Sequence, residues 1–138
     1  MTMFALVLTV LTFQLPPALS GTWVADLNGV TFIRLELNTA TGRVTGALAT
    51  GNMHVDQNGV VDDAQPAPAK LTPLSGFETK DGAVSFAREG GNDLEHFRLR
   101  VLGEGRAELI VVLSEEDLEE LKDEAIPVPK PIPLRKVK

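Results

Sequence analysis

The chain has 138 residues, with 19 acidic side chains against 13 basic ones and a formal net charge of −6. That balance argues against nucleic acid as a partner, because a phosphate backbone is held by clustered Lys and Arg. No cysteine occurs, which removes disulfides, thiolate catalysis, a Cys-based zinc site and a lipid-bearing cysteine, and leaves core packing as the source of stability.

Residues 1–20 carry no charge, and every charged side chain follows them. The apolar run Met3 to Leu15 is too short to span a bilayer. It leads into Pro16-Pro17-Ala18-Leu19-Ser20, with small residues at Ala18 and Ser20 where a signal peptidase reads them. The expectation is a signal peptide over 1–20, cut between Ser20 and Gly21, and a secreted or periplasmic protein with no membrane contact after its removal. A retained N-terminal anchor is the competing reading. No Asn-x-Ser/Thr site is present, which favours a bacterial setting. The remainder, 21–138, fits one domain that buries roughly 65% of its unfolded surface.

Short alternating segments follow, separated by Gly, Asn and Asp. Thr22 to Leu27 places Trp23, Ala25 and Leu27 on one face. After the hairpin dipeptide Asn28-Gly29, Thr31 to Leu37 places Ile33, Leu35 and Leu37 inward and Arg34 and Glu36 outward. A turn through Thr39–Gly42 leads to Val44, Gly46 and Leu48. Asn58-Gly59 is a second hairpin cue, between Met53–Asp56 and Val60-Val61, while Asp62 to Pro68 reads as a solvated, proline-stiffened loop. Loops of that length are where function concentrates. Lys70 to Phe77 reads as a strand that Pro73 confines to an edge or a bulge. Lys80-Asp81-Gly82 turns into Val84 and Phe86. Glu95 to Leu102 then faces Phe97, Leu99 and Val101 inward, with His96, Arg98 and Arg100 outward, and Gly103-Glu104-Gly105 closes onto Arg106 to Leu113.

The period then changes. Ser114 reads as an N-cap with Asp117 three residues on, and a helix is expected over 114–124, with Leu118, Leu121 and Ala125 as its apolar stripe and its acids solvated. Residues 126–133 form a proline-rich connector, which as a second reading is a partner ligand. Leu134 to Lys138 is expected as a final edge strand, with Leu134 and Ile132 inward. The fold class is all-β: about eight antiparallel strands in an up-and-down barrel, with one short helix before the last strand. A barrel of that size either fills its interior with side chains or holds one small ligand.

Gly21-Thr22-Trp23 at the head of the first strand resembles the Gly-x-Trp opening of the lipocalin and fatty-acid-binding group, the calycins. The helix placed before a last strand is similar to the lipocalin order. Phe32 to Leu37, Gly42 to Gly46, Asp81 to Phe86 and Pro131 to Leu134 also resemble small uncharacterised secreted bacterial proteins with repeated turn-and-strand units. The resemblance implies a calycin-like barrel over 21–138 and a tryptophan packed across its closed end. It transfers a structural role to Trp23 and implies no ligand-binding residue.

Chemistry is sparse. His96 reads as a surface imidazole beside Arg98 and Arg100. His54, near Asp56 and Asp62-Asp63, offers the elements of a cation site, but acids in such loops ordinarily serve turns, so no metal is expected. No nucleophile, zinc-protease or phosphate-loop motif occurs, so no catalytic residue, cofactor or enzymatic activity is expected. Arg34, Glu36, Arg98 and Arg100 read as cross-strand pairs on a wet face; the other register would line a polar cavity with them. Arg135-Lys136-Lys138 protects an edge. Trp23 and Phe97 are assigned structural roles, and ligand-binding residues are left unassigned. The expected protein is a monomer that binds a small apolar or amphipathic molecule, or alternatively a filled-barrel interaction module that meets a protein partner, an inhibitor or envelope accessory protein, through the 50–69 loop or the proline segment.

Overall fold

Asn28 (φ 52°) and Gly29 (φ 81°) take the two left-handed positions of a tight turn and join β1 (Gly21–Leu27) to β2 (Val30–Ala40). The computed structural model describes residues 19–40, 42–90 and 93–138, so the leader expected over 1–20 lies, as far as residue 18, outside the described residues. After β3 (Arg43–Thr50) the chain leaves the meander for a small hairpin, β4 (Met53–Val55) and β5 (Val61–Ala64). It returns in β6 (Thr72–Lys80), β7 (Ala83–Gly90), β8 (Asp93–Gly103) and β9 (Arg106–Val112). Helix α1 (Glu115–Asp123) and strand β10 (Ile132–Lys136) complete it. The order β1-β10-β9-β8-β7-β6-β3-β2 closes an eight-stranded antiparallel barrel, with β4 and β5 as a separate two-stranded sheet. The molecule is thus the all-β barrel with one helix before its last strand.

Three local expectations are corrected. Asp62 to Ala64 is strand and not loop: the residues pair with Met53 and His54, and the acidic side chains project into solvent. β10 is not an edge, since it pairs with β9 on one side and β1 on the other and thereby closes the barrel. The stripe on α1 is not buried, with Leu118 41% exposed and no buried residue in the helix. What fixes α1 is local: Ser114 and Asp117 form a reciprocal capping box, and three acids occupy the first turn. Within β2, Phe32 is buried beside Ile33, because the β1–β2 register shifts at Ala25/Asp26 and breaks the alternation there.

The inward residues meet in one cluster. Trp23, Phe86, Ile33, Leu35, Leu48, Leu99, Leu109 and Val84 are its largest fully buried side chains. Phe97 stacks on Phe86 with ring centroids 6.0 Å apart, and Phe77 tilts against Phe86 at 5.6 Å. The interior is filled by side chains, and among the described residues no polar or charged residue is buried. At one end Trp23 is sealed: its indole Nε1–H donates to the Leu19 carbonyl at 3.0 Å, Leu19 is itself buried, and Lys136 Nζ lies 5.4 Å from the indole centroid.

Two ladders of this barrel are thin. β2–β3 and β7–β8 each pair eight residues, whereas β1–β10 pairs only Trp23↔Lys136 and Val24↔Arg135, and β3–β6 only Ala47↔Pro73 and Leu48↔Thr72. Proline stands at both places. At the β1–β10 seam the Val137 N–H donates to Thr22 O at 2.8 Å, and the alternation of an antiparallel ladder carries the exchange to Val24/Arg135 and then to Asp26/Pro133. Pro133 has no N–H to give, so pairing stops and the strands separate.

Candidate functional site

The cleft lies where the β1–β10 seam comes apart. Ala25, Asp26, Leu27 and Phe32 form one wall, Lys130 to Pro133 the other, and Gly59, Val60 and Val61 of the β4–β5 hairpin roof it, enclosing about 370 Å³. That volume is at the small end of the range of ligand pockets, about 300–1,000 Å³. Most of its lining is apolar, and Ile132 and Phe32 at its base belong to the barrel core.

The roof is positioned by backbone bonds. Gly51 N–H donates to Phe32 O (2.7 Å), Gln65 N–H to Asn52 O (2.8 Å), Ala67 N–H to Thr31 O (2.9 Å) and Lys130 N–H to Gly59 O (2.9 Å). Met53, Val61 and Ala64 pack against the barrel cluster beneath. Gly59 (φ 82°) is required at the tip on two counts: the backbone is left-handed, and an added Cβ would collide with the Val128 carbonyl oxygen of the connector. The connector therefore holds the roof, and the roof holds the cleft.

Two ionisable side chains line the cleft. Both oxygens of the Asp26 carboxylate are engaged: the Thr31 hydroxyl donates to Oδ1, and Arg135 Nε donates to Oδ2 at 2.8 Å across the seam. The Thr31 hydrogen bond first, and then Arg135, hold its carboxyl below the usual value against the opposing effect of partial burial. Lys130, by contrast, has no side-chain hydrogen bond or ion pair among the described residues.

The second thin ladder is pinned differently. Arg88 on β7 donates from Nη1 to Thr50 Oγ1 of β3 at 3.0 Å, so it crosses the strand between them. It also grips Glu95 on β8 through Nε and Nη2 at 3.1–3.3 Å and lies 5.4 Å from the Phe97 ring centroid. Its side chain is 13% exposed. Sequence reasoning missed Arg88, although the alternation Val84, Phe86, Arg88 places it on the inward face and so carried the signal.

The singled-out residues fall apart from one another. Trp23 and Phe97 are both core residues, while Gly21 opens β1 opposite Leu37 with Ser20 just before it. His54 sits on the outer side of the roof, its Nδ1 2.6 Å from Asp62 Oδ1, and that carboxylate raises its pKa, with smaller contributions from Asp63 and Asp56. Asp56 Oδ1 accepts the Asn58 and Val60 N–H groups at 2.8 and 3.0 Å, so it serves the turn. His96, Arg98 and Arg100 are exposed, and Arg100 lies 3.8 Å from Glu108, a cross-strand neighbour, as a wet face implies. Among the described residues no helix is long and apolar enough to cross a membrane, and no group of three or more His, Asp or Glu side chains is placed to hold a metal ion. Comparison with protein-family models, with curated proteins and with solved structures finds no match for this chain.

Proposed function

We propose that the protein is an exported, monomeric, non-catalytic binding module of calycin-like ancestry whose barrel is a filled scaffold and whose ligand, a small amphipathic molecule, sits in the seam cleft. One observation carries this reading: the interior is occupied by side chains, whereas the seam beside it separates into an apolar cleft of ligand size. Gly21-Thr22-Trp23 and the helix before the last strand support the ancestry. The apolar segment ahead of Gly21 supports export. A non-catalytic role is supported by how the polar groups are used, since Asp26 and His54 are each committed to a neighbour.

A second reading has its own support. Val60, Ile126 and Val128 on the roof and connector are 49%, 42% and 50% exposed, which suits a protein partner at the same end. Native mass spectrometry of the protein taken from its own host separates the two. A stoichiometric small molecule that is lost on Val61→Asp supports the cleft. A co-purifying protein with no small molecule supports the partner and removes the first reading.

A further inference from the structure

We propose that the seam cleft selects an amphipathic anion, an apolar chain ending in a single negative charge, with the Lys130 ammonium as the group that receives that charge. This rests on the reading of the cleft as a small-molecule site and adds the chemistry of the ligand and the residue that determines it. Leu27, Phe32, Val60 and Val61 supply a surface on which a hydrocarbon chain is removed from water, with a free-energy gain proportional to the area covered.

The head group follows from how the two charges of the cleft are used. Asp26 is the weaker offer, to a cationic ligand: each of its oxygens already accepts a hydrogen bond, and Arg135 offsets its charge. Lys130 is the opposite case. Its backbone N–H is tied to Gly59 O, which fixes the root of the side chain at the cleft wall, and its ammonium has no partner among the described residues. An anion seated there meets one uncompensated positive charge beside an apolar wall. An ammonium ligand meets the same charge as a repulsion, and an alcohol gains only the tail contact. The preference is therefore ordered as anion, then neutral, then cation.

Lys130 is a specificity residue and lies outside the barrel ladders, so its substitution leaves the fold intact. The test uses isotope-labelled protein recovered from its host, titrated below their aggregation limits with octanoate, octanol and octylammonium while the backbone amides are followed by NMR. Saturable shifts at Leu27, Val60, Val61 and Lys130 are expected with octanoate. Octanol is expected to bind roughly five- to tenfold more weakly, and octylammonium more weakly still. Lys130→Gln should bring octanoate down to the level of octanol without changing octanol, and Lys130→Arg should restore it. Equal binding of octanoate and octanol, unchanged in Lys130→Gln, overturns the choice of an anion and leaves the small-molecule reading standing. If none of the three moves the cleft amides, both are overturned.

Discussion

The barrel has two thin seams, each bridged by an arginine, and they are built to opposite ends. At β3–β6 the bridge is Arg88, sheltered to 13% side-chain exposure, held by two partners and laid over Phe97, and the strands part only at the far end, around a more polar cleft of about 360 Å³ between Gly42–Val44 and Phe77–Thr79. At β1–β10 the bridge is Arg135, 61% exposed and paired with Asp26, and beside it the strands part around a cleft. The same ladder defect, two residue pairs and a proline, thus opens an apolar cleft beside the exposed clamp and a polar one away from the sheltered clamp.

The largest expected effect comes from the closed half of the open seam. Trp23→Ala removes a fully buried indole that anchors one of the two β1–β10 pairs and should cost about 3–5 kcal/mol in denaturant unfolding. Arg88→Met comes next, at about 1–3 kcal/mol, because Glu95 and Thr50 lose a charge-assisted partner beside a seam joined by only two ladder pairs. If Arg88→Met were no more costly than Arg135→Met, the contrast between the clamps would collapse.

Smaller effects sharpen the picture at the cleft. Gly59→Ala should cost about 1–2 kcal/mol from the left-handed backbone, with further loss from the collision with Val128 O. The loss should show as faster amide exchange at Lys130 and along β4–β5, with β7–β8 unaffected. Arg135→Met should cost under about 1 kcal/mol, as an exposed pair does. The smallest effect is that of His54. Its folded pKa is raised, so its contribution to the hairpin is fully present below pH 6.5 and is lost as pH rises through the raised value. Asp62→Asn should return the His54 titration, followed by NMR, towards 6.5, and a wild-type His54 already titrating there would remove the linkage.

How much of this is legible in the sequence depends on the range of the cause. Asn28-Gly29, Asp81-Gly82 and the Ser114/Asp117 cap act within four residues, and each stands where the sequence predicts. Alternation around Leu35 and Leu99 likewise identifies the core. The cleft is not legible, because it needs three distant pieces: Pro133 against β1, a register shift at Ala25/Asp26, and a roof tip tied to Lys130. The sequence reading does name the 50–69 loop and the proline segment as candidate contact regions, and these are two of the three. The hairpin cue at Asn58-Gly59 reaches Val61, but the rest of strand β5 is hidden because its acids outweigh a short strand signal, and the exposure of α1 because amphipathic spacing does not say what lies opposite.

If the leader is removed as its sequence pattern leads one to expect, the bond from Trp23 to the Leu19 carbonyl ties that cut to stability. A chain cut between Ser20 and Gly21 loses the acceptor for a buried indole N–H, at about 1–3 kcal/mol, together with the packing of Leu19. A chain cut immediately before Leu19, or earlier, keeps both. The position at which a peptidase acts would then set the lifetime of the released protein, so two processed forms differing by a dipeptide should unfold at clearly different temperatures.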